Sequence, residues 1–334
     1  MKEKISILGA GGWGTTLAVL LSRKNDLDVT LWSPFKGQVQ EICRDGENKT
    51  FLPCVKIPQS LSVTSNLAEA LDCGIIIVAT PVEYLRDTLQ KIVKTGIDLH
   101  GKIFVSVMKG IEVKSLTRPS QILEEELSIS RKHIVVLSGP TIAKEVAAGV
   151  PTVATVASYA CLNATHIQKI FKDTPLRVYT HTDVQGIETA GALKNVIAIA
   201  CGISDGLGFG TNTKSALICR GLKEMIRFAK SFKIKETAFL GISGIGDLCT
   251  TCFSQFSRNR FVGEEIGKGK TLKEVLTNMK MIAEGVTTAK SVYFLSTKHK
   301  IDMPITKEIY SVLYKHKSPK RAVHDLMARP LKAE

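Results

Sequence analysis

Short apolar runs recur through the first half of the chain, each followed by a stretch with helical spacing. Ile5–Leu8, Val29–Trp32, Ile75–Thr80, Ile103–Val107, Ile134–Leu137 and Val153–Val156 read as strands. Several are unbroken β-branched stretches, the composition of strands covered on both faces. Thr15–Arg23, Val82–Lys94 and Ser120–Leu127 read as the helices between them. This alternation predicts an α/β domain built on a doubly wound, Rossmann-type parallel sheet.

The pattern changes after Gly186. Ile187–Cys201, Thr213–Ala229, Phe261–Gly267, Thr271–Asn278, Thr287–His299 and Thr306–Leu313 have helical spacing, with no strand alternation between them. The expected organisation is a dinucleotide-type domain over residues 1–185 and an all-helical domain over residues 186–334. A length of 334 residues accommodates two domains, at about 100–200 residues each.

Composition narrows the reading. An apolar share of 44% and a charged share of 23% exclude a disordered chain. The eight cysteines are scattered, many in apolar runs, which suits reduced thiols more than a disulfide framework. Only Cys249 and Cys252 have C-x-x-C spacing, and no further ligands follow to complete a metal site. The N-terminus enters a strand pattern at once, and no apolar run nears the roughly 18 residues of a spanning helix. These features predict a cytoplasmic protein with no membrane insertion.

The formal charge of +14 raises nucleic acid as a partner. The densest basic stretch, Lys315, Lys317, Lys320 and Arg321, belongs to no nucleic-acid motif and reads as a solvated face. Net positive charge also suits small anionic ligands, which positive potential concentrates in a cleft.

Gly9-Ala10-Gly11-Gly12-Trp13-Gly14 has G-x-G-x-x-G spacing between a strand and a helix. In that context Gly9 makes the turn, Gly11 admits a pyrophosphate and Gly14 lets helix and strand pack. NAD-binding sheets carry an acidic residue after the second strand, where this chain has Ser33, Pro34 and Lys36. An acid would repel a 2′-phosphate and a serine would not, so the segment leans towards NADP(H); alternatively Lys36 only faces solvent. Lys109, Thr80 and Ser138-Gly139-Pro140-Thr141 fall at carboxyl ends of strands, where ligands gather.

The helix Gly191–Cys201 has apolar residues all around its axis, with Lys194 as its only cation. A buried lysine is hard to protonate, which suits proton transfer near neutral pH; the alternative is an ammonium that reaches solvent. Asp247, Thr250, Thr251, Ser257, Arg258, Asn259 and Arg260 add clustered polar groups. Arg258 has the donor fork that suits a phosphate, and Asp247 is placed to hold a lysine or a substrate hydroxyl.

With these motifs in hand, the chain resembles the NAD(P)-dependent glycerol-3-phosphate dehydrogenases of bacterial type. The matching blocks are Gly9–Gly14, Ser138–Ala143, Gly191–Asn195, Asp205–Gly210, Gly246–Leu248, Ser257–Asn259, Glu284–Val286 and Leu326–Arg329. The resemblance implies an oxidoreductase interconverting sn-glycerol 3-phosphate and dihydroxyacetone phosphate with NADPH or NADH. It implies no metal. It implies Lys194 as the catalytic lysine, and Lys109, Gly139, Thr141, Asp247, Thr251, Ser257, Arg258 and Asn259 at the substrate. It implies cofactor contacts at Trp13, Ala143, Arg258, Ile282 and Glu284, which join Gly9, Gly11, Gly12, Gly14, Ser33 and Lys109 from the residues themselves in the expected cofactor site. A homodimer and mainly reductive use, feeding glycerophospholipid synthesis, follow from the same resemblance. Many bacterial relatives carry an arginine where this chain has Ser33-Pro34, which leaves the choice between NAD and NADP open. Two rival readings are a dehydrogenase of hydroxy acids, which would need a carboxylate anchor, and a dinucleotide sensor, which would not need Lys194.

Overall fold

Alternate residues of an apolar strand point to opposite faces, and here both faces are covered. In the computed structural model, which describes residues 2–279 and 281–331, the first elements are β1 (Glu3–Leu8), α1 (Gly12–Ser22), β2 (Leu27–Trp32), α2 (Lys36–Asp45), β3 (Leu61–Thr64), α3 (Leu67–Ala70), β4 (Ile75–Val78), α4 (Leu85–Lys94) and β5 (Ile103–Ser106). They continue with α5 (Pro119–Leu127), β6 (Ile134–Ser138), α6 (Ala143–Ala147), β7 (Thr152–Ser158), α7 (Cys161–Ile170) and β8 (Leu176–His181). Ile75 and Ile77 join a core with Leu17 and Leu21 of α1 and Ile167 of α7. Ile76 and Val78 turn the other way, to Leu85 and Leu89 of α4 and Ile122 of α5. This two-sided burial is why the central strands are continuously apolar.

The strands form one sheet in the order β3-β2-β1-β4-β5-β6-β7-β8. From β1 the chain winds first to β2 and β3 and then back to β4, so the order reverses between β1 and β4. The crevice outside the carboxyl ends of strands at such a reversal is where doubly wound folds bind ligands. One expectation needs correction: the sheet is not wholly parallel, because β7 runs antiparallel to β6. The connecting helix α6 packs on α1 and does not carry the chain back over the sheet. The chain therefore turns round, and β8 then pairs parallel with β7. Two strands had no counterpart in the sequence pattern, β3 and β8. Both are edges, and β8 exposes every second residue or more, so neither presents a continuous apolar run.

The helices that follow are α8 (Val184–Gly206), α9 (Thr211–Ser231), α10 (Thr237–Leu240), α11 (Asp247–Phe253), α12 (Arg258–Gly267), α13 (Leu272–Thr277), α14 (Glu284–Lys298), α15 (Pro304–Tyr314) and α16 (Pro319–Met327). By contact the chain groups into two compact units, Met1–Lys109 with Thr117–Glu188, and Gly110–Leu116 with Thr189–Glu334. The short segment Gly110–Leu116 is tied to the helices by the Ser291 hydroxyl, which donates to the Ile111 carbonyl at 2.8 Å. Helix α8 has the length and composition of a membrane span, yet its most apolar window is wholly buried by protein. It is the core helix of its unit. Its backbone meets α12 directly: a Cβ on Gly202 would lie 2.0 Å from the Arg260 carbonyl oxygen. One on Gly263 would lie 2.1 Å from the Ile199 oxygen. Small residues on both helices are thus required for their approach.

A buried carboxyl joins α9 to α15. Glu224 on α9 is 2% exposed and accepts from the Ile305 N–H and from the Thr306 N–H and hydroxyl, satisfying the first turn of α15. Burial pushes this carboxyl from its ordinary 4.5 up to about 7. Between those values the folded protein keeps a proton that the unfolded chain has released, so this group's contribution to stability falls as pH rises through the window. Denaturant unfolding at pH 5 and pH 7.5 should show a smaller loss for Glu224→Gln than for the wild-type chain. Equal losses would mean that Glu224 does not titrate there.

Candidate active site

The glycine loop divides its glycines between two duties. Gly9 has φ of +120°, and a Cβ there would sit 3.0 Å from the Ala79 backbone at the end of β4. A Cβ on Gly12 would meet the Phe51 carbonyl oxygen at 2.8 Å, and one on Gly14 the Gly9 oxygen at 2.0 Å. These three are demanded by the protein's own packing. A Cβ on Gly11 would meet no protein atom within 4 Å. Gly11 is the N-cap of α1, so this open space lies where unpaired N–H groups and the helix dipole attract an anion. The loop therefore fits the pyrophosphate of a dinucleotide.

Two residues that the sequence pattern did not single out hold the loop in place. Gln38 Nε2 and Asn48 Nδ2 donate to the Ala10 carbonyl at 2.8 and 2.9 Å. Asn48, 2% exposed, also donates to the Thr15 hydroxyl. Neither lies in a motif, and only the folded chain brings them to Ala10. Ser33 is buried, and its hydroxyl donates to Gln38 Oε1 at 2.6 Å while accepting from the Phe35 N–H. Its link to the loop runs through Gln38. Lys36 is exposed at the start of α2, and Thr80 is buried with its hydroxyl on the Leu8 carbonyl. Trp13 packs on the core beneath α1. Ala143 heads α6, and its carbonyl accepts from the Thr16 hydroxyl at 3.2 Å.

In the same unit, three predicted site residues meet at one carbonyl. Lys109 Nζ and Thr141 Oγ1 both donate to the Gly139 oxygen, at 2.8 and 3.1 Å. Gly139 lies against β7, where a Cβ would come 2.9 Å from Ala154 Cα.

In the helical unit, Lys194 finds partners. It is 4% exposed, and its Nζ donates to Asp247 Oδ1 and to Thr251 Oγ1, both at 2.5 Å. Asp247 and Thr251 are 1% and 6% exposed. Thr251 donates its own hydroxyl hydrogen bond to the Asp247 carbonyl at 2.7 Å, so its lone pairs face the ammonium. The carboxylate offsets the desolvation of the ammonium, and removing one partner of such a pair costs roughly 3–5 kcal/mol. Lys194 does not reach out to solvent. One π-helical turn, Ile242–Gly246, feeds Asp247 into α11.

A second cluster adjoins the start of α12. Asn259, 8% exposed, donates from Nδ2 to Asn195 Oδ1 and accepts from the Gly285 N–H, both at 2.9 Å. The neighbours of Asn259 in the chain play different parts. Ser257 caps α12 by accepting from the Arg260 N–H, whereas Arg258 is exposed. Glu284 opens α14, with Ile282 half-buried just before it. Asp205 is structural: it binds Arg260 at 2.6 Å and Lys214 at 2.8 Å.

The C-x-x-C thiols are drawn away from reactivity. A hydrogen bond with Cys201, with burial added, pushes the Cys252 thiol well up, and burial raises that of Cys249. Both are kept from the thiolate that metal binding or exchange needs. Among the described residues no group of three or more His, Cys, Asp or Glu is arranged to hold a metal ion.

A dinucleotide loop on a doubly wound sheet, joined to helices that bury an ion-paired lysine, is the construction of a two-domain, dinucleotide-dependent oxidoreductase. Comparison with known proteins is more specific. Residues 4–164 match the family model for the NAD-dependent glycerol-3-phosphate dehydrogenase N-terminus, and residues 183–324 that for its C-terminus. Proteins named glycerol-3-phosphate dehydrogenase (NAD(P)+) are similar along the whole chain. That of Prosthecochloris aestuarii (strain DSM 271 / SK 413) is 45% identical over 332 residues, 99% of each chain. That of Thermoanaerobacter sp. (strain X514) is 46% identical over 99% of this chain and 98% of its own. The crystal structure of glycerol-3-phosphate dehydrogenase from Coxiella burnetii superposes with a TM-score of 0.93 at 35% identity, covering 98% of this chain and 99% of that one. The chain belongs to the NAD-dependent glycerol-3-phosphate dehydrogenase family.

The division of labour among the glycines predicts two different failures. Gly14→Ala should unfold at markedly lower temperature, because its Cβ meets backbone. Gly11→Ala should melt near the wild-type temperature but lose dinucleotide affinity in a fluorescence titration of NADPH. Wild-type affinity in Gly11→Ala would remove the pyrophosphate from that loop.

Proposed function

We propose that this chain interconverts sn-glycerol 3-phosphate and dihydroxyacetone phosphate. The observation that carries the proposal is the buried Lys194, paired with Asp247 and Thr251. A bound nicotinamide dinucleotide supplies or accepts the hydride at the substrate's C2. Lys194, as ammonium, donates the proton to the C2 oxygen during reduction and, as amine, takes it back during oxidation. Asp247 holds the ammonium and strengthens its field in a site from which water is excluded. Thr251 fixes its direction.

Arg258 takes the substrate phosphate: it is exposed, stands at a helix N-terminus and has a guanidinium fork that suits three anionic oxygens. Asn259 uses one amide hydrogen on Asn195 and offers the other to the same phosphate. Ser257 positions both by capping the helix. Lys109, Gly139 and Thr141 complete the substrate-binding set from the dinucleotide unit, and Lys109 and Arg258 also serve the cofactor. Gly9, Gly11, Gly12, Trp13, Gly14, Ser33, Ala143, Ile282 and Glu284 form the rest of the cofactor site. A serine replaces the carboxylate that would repel a 2′-phosphate, so NADPH is accepted as well as NADH. The reading includes a cytoplasmic homodimer that neither inserts into membrane nor binds nucleic acid. It works mainly in reduction, supplying glycerophospholipid synthesis.

Absorbance at 340 nm should fall when the protein receives NADPH or NADH with dihydroxyacetone phosphate, and stay constant with 2-oxo acids. Turnover of a 2-oxo acid alone would overturn the substrate assignment. In Arg258→Gln the KM for dihydroxyacetone phosphate should rise about 10- to 100-fold, the worth of a hydrogen bond to a charged group. An unchanged KM would place the phosphate elsewhere.

A further inference from the structure

The helical unit contains a cavity of about 360 Å³ between α8, α9, α15 and α16. It is apart from the lysine site: Ser204, which lines it, lies ten residues beyond Lys194 on α8, about 15 Å of helical rise. Its volume falls within the roughly 300–1,000 Å³ of small-molecule sites. Most of the wall is apolar, including Ala200, Ile203, Ile309, Val312 and Leu326.

The polar groups of the wall fall into two sets. Glu224 is committed to the first turn of α15, and Glu308 is paired with Lys317. Arg227 and Arg329 share Asp302. Three groups are left, one of them the Thr213 hydroxyl near the start of α9, which has no hydrogen bond with any described residue. Arg220, half-buried on α9, has no hydrogen bond or ion pair with any described residue. The Ser204 hydroxyl is buried without a hydrogen-bond partner, on a residue 2% exposed. A hydroxyl left unpaired inside a protein costs about 1–3 kcal/mol, so an orphan of this kind calls for a reason. An apolar chamber that offers one cation and two hydroxyls without partners among the described residues is matched by an apolar chain that ends in an anion.

We propose that this cavity binds a medium-chain aliphatic carboxylate, with its head group on Arg220 and Ser204 and its chain among the apolar side chains of α8, α15 and α16. The carboxylate accepts from Arg220, and from the Ser204 hydroxyl once that side chain turns towards the cavity, because its oxygen is enclosed as it stands. The chain removes apolar surface from water at about 25 cal/mol per Å². Burial of Glu224, which pushes its carboxyl up to about 7, reduces the negative charge that would oppose the head group. This site is independent of the reaction proposed above, because its occupancy is read without turnover.

Isothermal titration of the full-length protein with octanoate tests it, with 1-octanol as the uncharged control. Octanoate should bind with one site per chain and at least about 10-fold more tightly than 1-octanol. Arg220→Gln should weaken octanoate about 10- to 100-fold and leave 1-octanol unchanged. Ala216→Phe, at an exposed position of α9 that also lines the cavity, should abolish binding of both. Neither variant should alter turnover of dihydroxyacetone phosphate. No heat with octanoate, or octanoate binding that survives both substitutions, would overturn the proposal.

Discussion

A lysine ammonium enclosed by protein must have an anion beside it, and the helical unit is arranged around that requirement. Lys194 sits on the most buried helix of the unit, and the π-helical turn before α11 brings Asp247 to it at 2.5 Å. Gly244 in that turn cannot be larger, since a Cβ would lie 2.1 Å from the Phe239 carbonyl oxygen. The glycine contacts between α8 and α12 bring a second helix start close to the same helix. Asn259 at the α12 start donates to Asn195, the residue after Lys194, and accepts from Gly285 at the head of α14, so one side chain ties the three helices together. Three helix beginnings thus take their position from one stretch of α8. The proton transfer and phosphate binding proposed above both draw on that arrangement.

The dinucleotide unit meets a different constraint, that of close backbone approach. Three glycines are spent on packing and one on open space at a helix N-terminus. The loop's shape is then held from outside by side-chain amides on the Ala10 carbonyl. Such a carbonyl would otherwise be free to turn, and the N–H groups beside it would lose their common direction. Preorganisation of this kind lowers the cost of ordering the site when an anion arrives.

Much of this was legible in the sequence, and the omissions have physical causes. Central strands show as apolar runs because helices cover both faces, whereas the edges β3 and β8 carry polar residues and leave no run. The reversal at β7 depends on where α6 packs, and no local pattern encodes that. The glycine motif and the isolated Lys194 could be read from spacing alone. Asp247 was read as a holder of a lysine or a substrate hydroxyl and Thr251 as a substrate-site residue, but their meeting with Lys194 was not in the spacing, because it joins positions 53 and 57 residues away. Gln38 and Asn48 were invisible for the same reason. Ser33, read as a cofactor contact, also turns its hydroxyl to Gln38, a pairing that spacing alone does not show.

The account stands on Lys194 as the group that moves the proton. The most direct measurement is kcat/KM for dihydroxyacetone phosphate in Lys194→Ala, on protein shown to be folded and to bind NADPH as the wild type does. The account predicts a fall of at least about 10²- to 10⁴-fold, the usual contribution of general acid–base catalysis. A value within a few-fold of wild type would contradict it.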